Sequence, residues 1–337
     1  GQPPSRRQGV IIVTGGAGFI GSNIVAALEA RGETEVVVCD SLGEGDKWRN
    51  IAKRDLMGIL PPESLFDFLE RQRGAIDAVF HMGAISSTTV TDADLVVANN
   101  VNFSLKLWEW CVLAEARFIY ASSAATYGDG AGGFDDDESV DALRQIRPLN
   151  LYGWSKHLFD RRIARLNAEG QPTPPQWAGL KFFNVFGPNE YHKGPMRSVA
   201  HQLHEQISAG DSVRLFRSHH PDYPDGGQMR DFVSVDDCVD IMMWLFDTPD
   251  VSGLYNLGTG TACSFADLAE AVYTAMGSAP NIEFIDTPEE IRDKYQYFTQ
   301  ANMAKLRAAG CSHEFRSLED GVAEYVQDFL DQNDPYR

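Results

Sequence analysis

Short apolar runs alternate with stretches of helical period over the first half of the chain. Val10–Val13 runs into Thr14-Gly15-Gly16, the mark of a buried strand entering a turn. Ile20, Ile24, Ala27 and Leu28 then recur at helical spacing. Glu35–Cys39 predicts a second strand, ending at Asp40; Leu65, Phe66 and Leu69 mark a helix, and Ala78–His81 a third strand. A long helix over Asp94–Ala116, a strand over Phe118–Ala121, a helix over Asn150–Leu166 and a strand over Leu180–Phe183 follow. Wholly apolar strands separated by helices predict βαβ units and a parallel sheet covered on both faces. After about Pro188 the rhythm loosens. His219–Gly227 reads as loop, with helices predicted at Val235–Phe246, Ser264–Met276 and Leu318–Gln332.

Composition narrows the partners. The 337 residues carry 29 basic and 48 acidic side chains, a net charge of −19. That balance argues against nucleic acid and against an anionic membrane surface, which both need a basic face. It leaves room for an anionic small molecule in a locally basic pocket. The longest unbroken apolar run, Ile241–Phe246, is far short of the ~20 residues a spanning helix needs. Gly1–Gly9 is polar, has no apolar stretch behind its arginines, and reads as a disordered leader outside the fold. The five cysteines are widely spaced with no CxxC pair, as expected of reduced thiols in a cytoplasmic protein. The acidic run Asp135–Glu138 reads as a solvated loop. His201 and His204 lack a third ligand at metal-binding spacing, so no metal is expected. His81, at a strand end, reads as a structural hydrogen-bonder.

Gly15, Gly18 and Gly21 lie at i, i+3 and i+6 between a predicted strand and helix. In that context glycines let the backbone approach a pyrophosphate, and the helix N-terminus offers free N–H groups and partial positive charge. Asp40, at the end of the second strand, is placed to accept hydrogen bonds from a ribose. Its charge favours NAD, whereas Lys47 and Arg49 are close enough to neutralise the 2′-phosphate of NADP. The residues leave that choice open. A second glycine stretch, Leu257-Gly258-Thr259-Gly260, lacks the third glycine and reads as a loop.

Tyr152 and Lys156 stand at i and i+4, on one face of a helix. A phenol at its ordinary pKa of about 10 is a weak base at neutral pH. A neighbouring ammonium favours the phenolate and equips it to take a hydroxyl proton. Ser122-Ser123 follows the strand Phe118–Ala121, at the carboxyl end where open α/β sheets bind ligands. The glycine turn, the serine and Tyr-x-x-x-Lys, in this order, resemble the extended short-chain dehydrogenase/reductase family. That resemblance implies a Rossmann doubly wound parallel sheet with a smaller C-terminal α/β substrate-binding lobe. The expected division is 10–188 for the NAD(P)-binding domain, with the chain returning to it around 230–260, and 189–332 for the lobe.

Further segments sharpen the resemblance. Ala124 and Ala125 stand where nucleotide-sugar dehydratases carry an Asp-Glu pair. Asn184-Val185-Phe186-Gly187-Pro188 resembles the sugar-holding segment of nucleotide-sugar enzymes, and His192-Lys193-Gly194 follows it. Together with Ser86–Thr89, Phe298–Gln300 and Leu306–Gly310, the chain from about Val10 to Leu330 is similar to the ADP-L-glycero-D-manno-heptose 6-epimerases. The resemblance implies a tightly held NADP, with NAD as the alternative, and inversion of C6″ of an ADP-heptose through a 6″-keto sugar, for the lipopolysaccharide inner core. It implies Tyr152 and Lys193 as bases for the two epimers, Ser123 as hydrogen-bonder to the substrate oxygen, and Lys156 as the ribose-binding partner of Tyr152. Implied cofactor contacts, besides the glycine turn, are Phe19, Ile20, Asp40, Ser41, Lys47, Met82, Gly83, Ala84, Ile85, Ser86 and Asn99. Implied substrate contacts are Asn184, Val185, Phe216, Arg230 and Tyr295. Pro195 and Gln202 depart from a serine and a histidine usual in those enzymes. A homo-oligomer, a pentamer in the resembled family, is also implied. Two rivals stay open: a UDP-hexose 4-epimerase, which would need only Tyr152 and Ser123, and a non-catalytic NAD(P)-binding protein.

Overall fold

The computed structural model describes residues 9–293 and 295–337. The expected leader therefore lies, except for Gly9, outside the described residues. Seven parallel strands form the main sheet in the order Gly253–Leu257, Trp177–Phe182, Arg117–Ser123, Ile76–His81, Val10–Thr14, Val36–Cys39 and Gly58–Leu60. Strand order reverses between Val10–Thr14 and Ile76–His81, which opens a crevice at their carboxyl ends.

The strands are apolar on both faces because both are covered. Ile11 and Val13 point into one core, with Leu28 of the helix Phe19–Ala30 and Ile241 of the helix Val235–Asp247. Val10 and Ile12 point into the other, with Leu65, Leu107 and Trp108. A third core, including Phe186, Leu203, Leu215, Val272 and Val322, holds the smaller lobe. That lobe contains three two-stranded sheets: Asn184–Phe186 with Phe232–Ser234, Met229–Arg230 with Cys263–Ser264, and Val213–Phe216 with Ile282–Ile285.

Several elements differ from expectation. The helix expected over Asp94–Ala116 is interrupted: Ala93–Val96 widens into a π-helical turn, Val97–Asn102, before Phe103–Ala114. Asp136 is not solvated. It is buried, and its carboxylate accepts the Asn256 N–H at 2.8 Å. Lys305 binds the Asp136 carbonyl and the Glu138 carboxylate, so this acidic segment is packed along the sheet's outer strand. The Asp136 and Glu138 carboxylates meet partners far along the chain that no local pattern could indicate, whereas Asp135 and Asp137 are exposed, as a solvated loop would have them. His81 is buried between Thr14 Oγ1 at 2.6 Å and Ser104 Oγ at 2.8 Å, as its strand-end position suggested. All five cysteines are unpaired, and four are buried. Among the described residues, no helix is long and apolar enough to cross a membrane.

Candidate active site

The glycine turn is fixed by backbone crowding. Gly15 has φ +62°, and a Cβ there would lie 2.7 Å from Gly83. A Cβ on Gly21 would lie 2.1 Å from the carbonyl oxygen of Gly15, so the helix start can approach this closely only without a side chain. Gly18 caps the helix Phe19–Ala30, with no side-chain cap at its N-terminus among the described residues. Such a cradle suits a pyrophosphate. Asp40 braces the turn from the next strand. Its Oδ2 accepts the Ala17 N–H at 3.0 Å, and its Oδ1 accepts Ser41 N–H and the Lys47 ammonium, both at 2.8 Å.

Across the crevice, Gly83 donates to Thr14 Oγ1 at 3.1 Å. The loop beyond it is held by Asn100, which exchanges hydrogen bonds with both backbone groups of Ile85 and donates to Ser155 Oγ at 3.1 Å. The π-helical turn delivers Asn100 to that position. The buried bracing residue is Asn100; Asn99 is its half-buried neighbour, donating to it at 3.4 Å. The adjacent pair Asn99-Asn100 was the only sequence signal, and which one turns inward depends on the widened turn.

The helix Leu151–Ala168 begins at Asn150, whose side chain accepts the Gly153 N–H at 2.7 Å. A Cβ on Gly153 would lie 2.7 Å from the Ala125 carbonyl, so the helix start presses directly on the strand end bearing Ser123. Lys156 Nζ donates to the Ala121 carbonyl at 2.9 Å. Burial lowers the Lys156 pKa to about 8, against a pull upward from Asp160. Burial also raises the Tyr152 phenol, which a hydrogen bond with Ser123 partly offsets. The lowering expected from Lys156 is not seen: burial and the charge of Asp160 raise the phenol, and the group that lowers it is Ser123.

One cavity of about 810 Å³ collects most of the sequence-derived residues. The glycine turn, Phe19, Ile20, Asp40, Lys47, Met82, Gly83, Ala84 and Ser86 line one end. Ser123, Tyr152, Lys156, Asn184, Val185, Lys193 and Arg230 line the rest. Ser41, Ile85, Asn99, Phe216 and Tyr295 do not line it. Phe216 and Tyr295 instead form a ring pair at 5.7 Å behind Arg230. The Arg230 guanidinium lies between the rings of Phe265 and Tyr295, 5.3 and 5.4 Å from their centroids, and donates to the Met229 carbonyl at 2.8 Å. Among the described residues no carboxylate lies within ion-pair distance of it; it hydrogen-bonds Tyr295 as well, and the side that lines the cavity can meet an anionic ligand.

Two carboxylates that sequence reading passed over set this wall. Asp231 is fully buried and accepts from Thr259, Gly260 and Ala301 N–H groups, tying the Gly258–Gly260 loop beside Arg230. Glu190 is also buried. It accepts from Ser198 Oγ and Tyr325 OH, each at 2.8 Å, from Gly187 N–H, and from Ser198 N–H. Glu190 thereby fixes the loop bearing Lys193, whose ammonium sits 5.5 Å from the centre of the Phe19 ring. Burial lowers the Lys193 pKa, and Glu190 opposes that shift. Asp231 acts through partners 28 to 70 residues away, and Glu190 joins its near neighbours Gly187 and Ser198 to the distant Tyr325, a pattern with no recognised sequence signature.

His201 and His204 do not converge: His201 accepts from Arg197, and His204 pairs with Asp331. Asp237, Asp240 and His313 cluster elsewhere, but the Arg316 guanidinium already sits 2.8 Å from Asp237 Oδ1.

Comparison with known proteins agrees with this geometry. The sequence pattern of the NAD dependent epimerase/dehydratase family matches residues 11–258. The chain belongs to the NAD-dependent epimerase/dehydratase family. This epimerase/dehydratase is 50% identical to an ADP-L-glycero-D-manno-heptose-6-epimerase of Nitratidesulfovibrio vulgaris, over 96% of its own chain and 99% of that protein. It is 44% identical to the enzyme of the same name from Fusobacterium nucleatum, over 97% and 100%. Its fold matches the crystal structure of the Helicobacter pylori ADP-L-glycero-D-manno-heptose-6-epimerase with TM-score 0.74 at 27% identity, covering 95% and 96% of the chains. It also matches a UDP-glucose 4-epimerase of Thermus thermophilus in complex with NAD, with TM-score 0.72 at 27% identity, covering 94% and 97%. The glycine cradle and Asp40 fit the NAD(P) expected of this family.

Proposed function

We propose that this protein interconverts ADP-D-glycero-D-manno-heptose and ADP-L-glycero-D-manno-heptose by inverting C6″ through a 6″-keto sugar. The observation that carries the reading is that two proton-transfer groups line one cavity: Tyr152 from a helix of the main sheet and Lys193 from the loop after Pro188. The two epimers direct their C6″ hydroxyls to opposite sides, so a single base cannot serve both well. In this reading Tyr152 takes the hydroxyl proton of one epimer and Lys193 that of the other. Burial suits Lys193 to the role by favouring its neutral amine. Ser123 hydrogen-bonds the 6″ oxygen, and Lys156 binds the cofactor ribose beside Tyr152. Arg230 clamps the diphosphate. Asn184 and Val185 hold the sugar, with Phe216 and Tyr295 supporting the nucleotide end. The bound dinucleotide supplies the hydride acceptor and donor.

Dehydration does not suit this site. Ala124 and Ala125 line the cavity beside Ser123, and the carboxylates in the lining, Asp40 and Glu190, are already hydrogen-bonded. We take NADP as the cofactor, with Lys47 the group that meets its 2′-phosphate, and NAD as the alternative. The same reading places the enzyme in the cytoplasm as a homo-oligomer, which sedimentation would size.

Lys193→Met tests the reading against a 4-epimerase. Loss of one of two bases is expected to lower kcat by about 10²–10⁴-fold. A UDP-hexose 4-epimerase relying on Tyr152 and Ser123 would retain most of its activity.

A further inference from the structure

Beneath the strand end bearing Ser123 lies a buried layer of charge that the reaction does not use directly. Asp160 is two helical turns beyond Tyr152 and one beyond Lys156, on the same face of the helix Leu151–Ala168. It is buried, and its two oxygens accept from Tyr120 OH at 2.8 Å and Ser122 Oγ at 2.6 Å. Both donors belong to the strand that ends at Ser123. On the neighbouring strand, Lys181 stands opposite Ser122 in register. Lys181 is fully buried, yet its Nζ makes no hydrogen bond among the described residues; it sits 4.1 Å from the centre of the Tyr127 ring.

An isolated ammonium in a protein core is expensive, and so is an isolated carboxylate. Here the two lie in one layer and attract each other without direct contact. Asp160 also attracts Lys156. We infer that Asp160, balanced in charge by Lys181, is a positioning residue that holds the strand end bearing Ser123 and stands one helical turn behind Lys156 as its buried counter-charge. The inference rests on the proposed roles of Ser123 and Lys156, and extends them to two residues that touch neither sugar nor cofactor.

Charged and titratable groups face the pair from several elements; Tyr127, whose ring lies against Lys181, also feels the charge of Asp160. Lys156 and Tyr152 come from the same helix as Asp160, and Tyr120 from the strand it braces. Asp136 and Lys305 act on Lys181 from the outer edge of the sheet, and Glu138 acts on Tyr120. His157 faces Lys181, and His81 faces Lys156. Burial raises the Asp160 pKa, opposed by Lys181, its two hydroxyl partners and Lys156. Burial takes the Lys156 pKa down to about 8, and Asp160 pulls it back up. Neutralising Asp160 therefore moves Lys156 further down, so its ammonium is lost at lower pH.

Asp160→Asn keeps the shape and removes the charge. Epimerisation and NADPH binding are then followed against pH, the latter by energy transfer from tryptophan. The alkaline limb of kcat and the pH midpoint of NADPH affinity should both move acidward by about one unit. At pH 8 kcat should fall about fivefold, with KM for the sugar nucleotide changed less than threefold. Asp160→Asn leaves Lys181 unbalanced, so the protein will also lose resistance to urea. Asp160→Asn combined with Lys181→Met removes both charges. This double variant should recover urea resistance while both pH midpoints stay displaced. An unmoved alkaline limb and an unmoved NADPH midpoint, in either variant, would overturn the inference and leave Asp160 as a packing residue. Should the wild-type protein fail to epimerise ADP-heptose, the proposed reaction fails, and NADPH binding still decides the role of Asp160.

Discussion

The two ends of the cavity are built by different means. At the cofactor end the shape is made by backbone. Gly15 and Gly21 approach so closely that added methyl groups would collide with main-chain atoms, and at Gly83 a methyl group would be tight, 3.1 Å from the Gly15 nitrogen. At the sugar end the shape is made by buried side chains. Glu190 gathers four donors, Asp231 gathers a loop, and Arg230 lies between two rings. A backbone cradle can be ruined by one carbon but is indifferent to most neighbouring side chains. A side-chain wall tolerates small volume changes but fails when one hydrogen-bonding hub is altered. One fold can thus keep its cofactor site constant while its substrate wall is rebuilt for another sugar.

Gly21→Ala strikes the backbone end hardest. With its Cβ 2.1 Å from the Gly15 carbonyl, the helix start must move. The expected cost is roughly 3 kcal/mol, the upper end for overpacking, seen as a lower urea midpoint together with loss of NADPH binding. Unchanged NADPH affinity would break the contrast between the two ends.

Glu190→Gln strikes the side-chain end. An amide cannot accept from all of the Glu190 donors, and the mismatch should cost about 1–3 kcal/mol. The variant should raise KM and lower kcat for ADP-heptose while NADPH affinity stays within twofold. Equal damage to cofactor binding would show the two ends to be one structural unit.

His81 gives the backbone end a pH signature. Burial, reinforced by the charge of Lys156, takes its pKa down to about 3, against an ordinary value near 6.5. The unfolded chain then binds a proton that the folded chain refuses. The stability held by neutral His81 is fully present above pH 6.5 and is lost as pH falls toward its folded pKa. Urea midpoints measured from pH 7 to pH 4 should fall, and His81→Gln should flatten that slope.

Lys47→Ala is the mildest change. Its pairing with Asp40 is partly exposed, so stability should change by less than about 1 kcal/mol. NADP affinity should fall about tenfold, as for loss of one charged hydrogen bond, with NAD affinity little altered. Equal loss for both cofactors would remove Lys47 as the 2′-phosphate partner.

The same division explains what could be read in advance. The cofactor end depends on neighbours in sequence: strand, glycine turn, helix, and an acid at the next strand end. Tyr152 and Lys156 are likewise one helical turn apart, so their shared face is visible in the spacing. The sugar end depends on partners brought together by the fold. Glu190 meets Tyr325 and Asp231 meets Ala301; even at the cofactor end, Asn100 faces Ile85 only because a helix widens at Val97–Asn102. The small sheet joining Val213–Phe216 to Ile282–Ile285 pairs short segments far apart in the chain, with no alternation strong enough to mark them. Asp136 read as solvated because its acidic neighbours suggested it; Asn256, which turns it inward, is on the outermost strand of the sheet.

The central claim is inversion of C6″ with the hydride returned within one turnover. Its most direct test is proton NMR of ADP-D-glycero-D-manno-heptose incubated with the purified protein and no added cofactor. The account predicts that the L-glycero epimer appears with no net formation of reduced nicotinamide. An unchanged spectrum, with nicotinamide cofactor shown to be bound to the protein, would contradict it.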